Sequence, residues 1–217
     1  MKKIWLALAS MVLAFSVSAA DISEGKQYTN LSKPITASPD VVEFFSFYCP
    51  HCYQFSEVYK VNSTVEKNAP ENTNVVRYHV DFLGPLGKDL TRSWAVAMAL
   101  GVEDQVAPVL FKGIQETQSI RSVDDIRNAF INAGVKGEDY DAAMNSFVVN
   151  SLVSQQQNAV VDFQINGVPA MIVGGKYKMK NDGISAKSPE EYAKTYSDIV
   201  NQLLLKNKRD LNFFHID

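Results

Sequence analysis

Val41-Val42-Glu43-Phe44-Phe45-Ser46-Phe47 is apolar on both alternating faces except at Glu43 and Ser46, and two residues later the chain reads Cys49-Pro50-His51-Cys52. A short β-branched and aromatic run of this kind is a central strand covered on both sides. Proline just inside the motif suits the first position of a helix, where its missing N–H leaves no bond unmade. The pattern therefore asks for a buried strand that passes directly into a helix, with two cysteines at the junction. They are the only cysteines among 217 residues, too few for a disulfide scaffold or a cysteine-only zinc site.

Lys2 and Lys3 precede an uncharged stretch from Ile4 to Phe15, followed by small residues at Ser16, Ser18, Ala19 and Ala20. That order of charge, apolar core and small residues is a cleavable secretory signal, expected over residues 1–19 with Val17 at the −3 position; cleavage after Ala20 is the alternative. The core is shorter than the roughly 20 apolar residues a membrane-spanning helix needs, which disfavours an N-terminal anchor. Loss of the leader removes two lysines and no acid, moving the net charge from −3 to −5. An acidic chain without clustered Lys and Arg is a poor nucleic-acid binder. Export also matters to the cysteines, because an oxidising compartment lets a disulfide persist.

Along the rest of the chain, Phe55, Val58, Tyr59 and Val61 or Val65 recur at helical spacing and stop near Asn68-Ala69-Pro70. Asn74 to Phe82 reads as a second strand, completing a βαβ unit. From about Lys88 to Phe163 the period is helical throughout. Leu90, Trp94, Ala97 and Met98 form one face, Val123, Ile126 and Phe130 another, and Tyr140, Ala143 and Phe147 a third. Ser122 is the expected N-cap of the middle segment, while Ala133-Gly134 and Lys136-Gly137 punctuate like helix ends. Ala170 to Val173, Gly174-Gly175 and Lys176 to Met179 form a hairpin with glycines in its turn. Ser188-Pro189-Glu190-Glu191 opens a last helix through a capping box, with Tyr192, Tyr196, Ile199 and Leu203 as its buried stripe. Leu205 to Asp217 reads as a frayed tail in which Leu211, Phe213 and Phe214 are apolar enough to dock.

A CxxC at the end of a buried strand, opening a helix within a βαβ unit, is the mark of a thioredoxin-like redox centre. The bland alternatives are weaker. A disulfide closing so small a loop removes little unfolded-chain entropy. Zinc would need two further ligands from His51, His79 and His215, and His51 is badly placed to join its own neighbours on one ion. No metal or other cofactor is therefore expected.

With Cys49 at the N-cap and Pro50 at the first helical position, the Cys49 sulfur meets unpaired N–H groups and the positive end of the helix dipole, which stabilise a thiolate. The dipole supplies only about 0.3–1 kcal/mol, or about 2 in a favourable site, so His51 is the second contributor, by hydrogen bond or by charge. A stabilised Cys49 thiolate favours the dithiol and makes the disulfide the stronger oxidant. Val168-Pro169, ahead of the strand at Ala170, implies a turn or a cis bond. Val168 would offer backbone groups to an extended peptide. Glu43 is a candidate proton relay to Cys52 if burial raises its pKa, or else a carboxylate at the sheet edge or satisfied by water.

Together with the leader, the segments Phe44 to Phe55, Trp94 to Asp104 and Gly167 to Met171 resemble the DsbA family, the periplasmic thiol:disulfide oxidoreductases of Gram-negative bacteria, over nearly the whole chain. The resemblance implies an α/β, thioredoxin-like fold with an inserted all-helical domain, divided as 20–87 with 164–217 and an insertion at 88–163. It further implies Cys49 as the exposed redox sulfur and Cys52 as its buried partner. Val168-Pro169 becomes a cis-proline loop and Glu43 the buried acid beneath the cysteines. The activity implied is donation of the disulfide to exported proteins with free cysteines, through a mixed disulfide at Cys49. Re-oxidation would come from a quinone-linked membrane protein resembling DsbB, and the chain is expected to be a monomer. One departure is visible: Arg77 stands where the family is expected to carry lysine, and an arginine does not lose its proton.

Two other readings remain open at this point. A reductase or isomerase would keep its CxxC reduced and usually needs a less oxidising dipeptide or a dimerisation domain, and there is no spare domain here. A peptide-binding chaperone would use the apolar surface around Tyr48, Tyr53 and Val168, with the cysteines incidental.

Overall fold

The computed structural model describes residues 22–213, so the expected leader, its cleavage site and Phe214 lie outside the described residues. Five strands form one sheet: β1 (Tyr28–Asn30), β2 (Val41–Phe45), β3 (Val75–His79), β4 (Ala170–Val173) and β5 (Tyr177–Met179), in the spatial order β1-β5-β4-β2-β3. β2 runs parallel to β3, with Glu43 opposite Arg77, and antiparallel to β4, with Glu43 opposite Met171. All five residues of β2 are buried, as its two-sided apolar pattern requires. β3 is shorter than the sequence suggests because its partner β2 ends at Phe45, and only the Val80 N–H continues the pairing, to the Phe45 carbonyl. Edge strand β1 was not legible in the sequence. Three residues with one buried side chain carry no period, and the strand exists because β5 pairs with it.

The crossover from β2 to β3 is a broken helix. α1 (Pro50–Tyr53) passes into a π-helical turn at Gln54–Val58, the chain turns at Lys60 in the left-handed region (φ 57°), and α2 (Val61–Asn68) follows. The break rephases the buried face, so Phe55, Val61 and Val65 are covered while Val58 is exposed, contrary to the simple helical spacing.

Five helices connect β3 to β4: α3 (Gly87–Leu100), α4 (Glu103–Phe111, running into a π-helical turn at Lys112–Glu116), α5 (Val123–Asn132), α6 (Gly137–Met144) and α7 (Phe147–Asp162). Ser122 caps α5 by accepting from the Asp125 N–H. Lys136-Gly137 starts α6 rather than ending a helix. Val123 and Phe147 are exposed, contrary to the expected faces, because each occupies the first helical position and the buried stripe begins further on, at Ile126 and Val149. α8 (Pro189–Phe213) closes the fold, with the Glu191 N–H donating to Ser188 Oγ and the Glu191 carboxylate accepting from the Lys187 N–H.

The expectation of a frayed tail from Leu205 fails over the described residues, to Phe213. α8 continues to Phe213 because polar side chains pin it: Asp210 receives Lys176 Nζ and Tyr177 Oη, and Lys206 Nζ donates to Tyr28 Oη. Leu211 is half-exposed rather than docked.

Alternation along β2 sorts its side chains between the two faces of the sheet. Val41 packs with Phe55, Val65, Tyr196 and Leu203 beneath α2 and α8, whereas Val42 and Phe44 pack with Tyr78, Phe163 and Ile172 against the end of α7. At the strand's end Phe45 and Phe47 leave the sheet core and join Trp94, Leu110, Phe111 and Phe130 among the helices, a core that also holds both cysteines. Each such side chain contributes roughly 1.5–3 kcal/mol through burial. The CxxC therefore stands where the sheet and the helical block meet.

Candidate active site

Cys49 is the N-cap of α1, in extended conformation (φ −89°, ψ 113°), with Pro50 next. Its sulfur accepts the Cys52 N–H at 3.2 Å, and its thiol donates to the Val168 carbonyl at 3.4 Å. Both cysteines are free thiols in this structure. Cys49 retains 7% of its surface exposed while Cys52 has none, so only the first can meet a large reactant.

The two sulfurs titrate in opposite senses. Cys49 is lowered from 9.0 to about 6, chiefly by the hydrogen bond from the Cys52 thiol, then by the N–H groups of Cys52 and His51 and the charge of His51, against an opposing desolvation. Cys52 is pushed far up, first by burial and then by the same hydrogen bond and the nearby Cys49 charge, with a smaller contribution from Glu43. The pair thus consists of an outer sulfur that ionises readily and a buried thiol that solvates it when it does. His51 itself is exposed and acts on the sulfur through its backbone N–H and its charge.

Glu43 is 1% exposed and belongs to a strand paired on both sides, so it is not at a sheet edge. Its Oε2 accepts Arg77 Nε at 2.7 Å; Arg77 also reaches Ser56 Oγ and lies over the rings of Phe45 and Trp94. A guanidinium occupies the partner role, and neutralises the acid without being able to take up or release a proton itself.

The Val168–Pro169 bond is cis. Asn181 holds this loop by donating to the Pro169 carbonyl at 2.9 Å, and is itself fixed by Tyr192 Oη and Tyr196 Oη. An open groove of about 490 Å³ starts at His51 and runs past Phe55, Tyr59 and Tyr192 to Gly167, Val168 and Pro169. Cys49, Pro50, His51, Val168 and Pro169 are thus brought together at one surface, with Cys52 enclosed behind Cys49 and Glu43 buried close enough for its charge to act on Cys52.

Sequence reasoning missed a second ring of residues that holds the motif. His79, 1% exposed, accepts the Phe47 N–H through Nε2 at 3.2 Å and contacts Thr91 Oγ1 through Nδ1 at 2.8 Å. With Nε2 as acceptor, the neutral ring carries its proton on Nδ1. Burial lowers the His79 pKa to about 3. Gln115 Nε2 donates to the Phe47 carbonyl at 2.7 Å, and Tyr53 Oη is hydrogen-bonded to Glu116. The helical block therefore grips Phe47 and Tyr53, on either side of the cysteines. A histidine within an apolar strand was the one available signal.

The model of the DSBA-like thioredoxin domain matches residues 40–197. The chain belongs to the DsbA family. The thiol:disulfide interchange protein DsbA of Yersinia pestis is 61% identical over 204 residues, covering 94% of this chain and 99% of that one. The crystal structure of DsbA from Proteus mirabilis superposes with a TM-score of 0.84 at 86% identity, covering 87% of this chain and all of that one. A second structure of Proteus mirabilis DsbA, with a C-to-S replacement and a non-covalently bound peptide PWATCDS, superposes with the same TM-score at 85% identity, covering 86% of this chain and all of that one. Membership carries the thioredoxin-like fold with its helical insertion, and the activity is thiol:disulfide interchange. This DsbA family member is a protein disulfide oxidoreductase, and its substrates are proteins.

Proposed function

We propose that Cys49 is the sulfur that exchanges with substrate, and that its stabilised thiolate makes the Cys49–Cys52 disulfide an oxidant. A substrate thiolate attacks Cys49 Sγ, the bond to Cys52 breaks, and Cys52 takes up a proton as the leaving thiol. A second substrate thiolate then attacks the substrate sulfur of the mixed disulfide and expels Cys49 as a thiolate. The substrate loses two electrons and leaves with a disulfide; the enzyme is left as the dithiol. The observation that carries this reading is the asymmetry of the two sulfurs, since the group expelled last is also the one that most favours ionisation.

Pro50 and His51 tune Cys49, Glu43 sets the field beneath Cys52, and Val168 with Pro169 receives substrate backbone. The peptide held by the Proteus mirabilis relative supports a polypeptide ligand for the groove beside Pro169. The Arg77 guanidinium, which cannot itself exchange a proton, leaves Glu43 an electrostatic role beside Cys52. The helical block, 88–163, is an insertion between residues 20–87 and 164–217 that completes the surface around the motif. With residues 1–19 as a cleaved leader, the enzyme works in the periplasm on exported proteins as a monomer, and a quinone-linked membrane partner resembling DsbB accepts its electrons. No described helix is long and apolar enough to cross a membrane.

Titrating the ultraviolet absorbance of the thiolate tests the reading. A midpoint near 6 is expected; a midpoint near the ordinary thiol value of about 8.5 would overturn it. Cys49→Ser is expected to abolish catalysed disulfide formation. Suppression of aggregation that survives this substitution, together with no oxidase activity in the parent protein, would favour a chaperone instead.

A further inference from the structure

The Val168–Pro169 dipeptide carries three main-chain polar groups, since proline has no N–H. They are not equally free. The Val168 N–H meets no acceptor among the described residues, and the Val168 carbonyl meets only the Cys49 thiol, at 3.4 Å. The Pro169 carbonyl is taken by Asn181 Nδ2 at 2.9 Å. Val168 alone is thus left with a donor and an acceptor to offer, which is what one residue exchanges with its opposite in a hydrogen-bonded pair of antiparallel strands. Asn181 comes from another part of the fold, the short turn Asn181–Gly183 between β5 and α8. Tyr196 Oη donates to Asn181 Oδ1 at 3.1 Å, which turns the amide NH₂ toward the Pro169 carbonyl. Tyr196 is fully buried, and burial pushes its phenol well above the ordinary pKa, so it stays a donor. The turn itself is seated on the segment ahead of β1. The Lys180 N–H donates to the Gln27 carbonyl and Lys180 Nζ to the Gly25 carbonyl, both at 2.8 Å, and a Cβ at Gly183 would stand 1.7 Å from the Lys26 carbonyl oxygen. The donor to Pro169 is therefore fixed before any substrate arrives.

We propose that Asn181 is the positioning residue through which the enzyme favours polypeptide thiols over small ones: by holding the Pro169 carbonyl, it sets Val168 beside Cys49 as the one place where substrate backbone can pair. The inference rests on the reading that Val168 receives substrate backbone, and extends it to a residue outside the loop. A small thiol has no main chain to pair with Val168 and gains nothing from the arrangement. Without Asn181, the Pro169 carbonyl loses its partner and competes with Val168 for substrate donors, and the loop loses its tie to the turn behind it.

The rate at which a cysteine-pair peptide reduces the Cys49–Cys52 disulfide, compared with the rate for dithiothreitol, tests it. Asn181→Ala is expected to slow the peptide reaction about tenfold, the scale of one hydrogen bond, and to leave the dithiothreitol reaction and the Cys49 thiolate midpoint unchanged. Tyr196→Phe keeps the ring and removes only the hydroxyl that orients the amide, so it is expected to slow the peptide reaction alone, by a smaller factor; it decides the matter if Asn181→Ala does not fold. Equal slowing with both thiols would reduce Asn181 to a structural role and overturn the proposal, as would a peptide reaction untouched in the variants that fold. A parent disulfide inert to both thiols would instead sink the proposed function, and this inference with it.

Discussion

Cys49 and Cys52 are one helical turn apart, but they differ in what surrounds them. The N-cap sulfur receives donors from the Cys52 thiol and from backbone N–H groups, while the inner sulfur is enclosed by side chains. Only one of the two can be ionised comfortably, and the other stabilises it by remaining protonated. His51 adds its charge from the surface without enclosing the sulfur. Removing that charge should destabilise the thiolate, favour the disulfide and so weaken the oxidant. His51→Ser is therefore expected to lower the reduction potential, measured against glutathione, by up to about 30 mV, which for two electrons corresponds to one pKa unit. A potential equal to or above that of the parent would remove His51 from the mechanism.

At the scale of elements, the site depends on contacts made by helices remote from it in the chain. Gln156, on α7 and fully buried, accepts the His79 N–H and donates to the Thr91 carbonyl, tying β3 to α3. His79 in turn holds Phe47 just ahead of Cys49. Gln156→Ala leaves the buried His79 N–H without a partner, at about 1–3 kcal/mol, while the Thr91 carbonyl keeps its bond within α3. The urea midpoint should fall accordingly, and an unchanged midpoint would show that the clamp contributes nothing. The hairpin is constrained in a different way. Gly175 has φ +61°, and a Cβ there would stand 2.0 Å from the Ile35 carbonyl oxygen. Gly175→Ala should destabilise the fold by at least about 1 kcal/mol, since both strain and overlap oppose it.

For the molecule as a whole, the thiol pair couples stability to redox state. Folding depresses the Cys49 pKa, so the dithiol form gains stability above the unfolded pKa near 9 and loses it as pH falls through about 6. The disulfide form has no such proton. The stability of the reduced protein relative to the oxidised one should therefore grow as pH rises across this window, by up to about 1.4 kcal/mol per unit. Denaturation of both forms at several pH values measures it, and a constant difference would contradict the asymmetry of the two sulfurs. His79 acts on both forms equally. Its pKa falls from 6.5 to about 3 on folding, so the unfolded chain binds the extra proton and both forms lose stability as pH drops below 6.5. His79→Gln should flatten the upper part of that acid slope in the oxidised protein.

The central strand, the helix opened at Pro50, the glycine hairpin and the capped start of α8 were all legible because each depends on neighbours in sequence, through side-chain period, a proline's fixed φ or a local cap. The family resemblance, carried by Phe44 to Phe55, Trp94 to Asp104 and Gly167 to Met171 together, supplied the cis arrangement at Pro169 that the residues alone left open. Strand β1, the broken α1–α2 helix, the grip on Phe47 and the continuation of α8 through Asp210 were decided only in three dimensions. Their partners are far away along the chain, 77 residues for His79 with Gln156 and 34 for Lys176 with Asp210. Local pattern specifies which surface an element buries. Which distant polar group meets it there is settled only once the elements have packed, because an unmatched buried donor or acceptor costs more than any local preference provides.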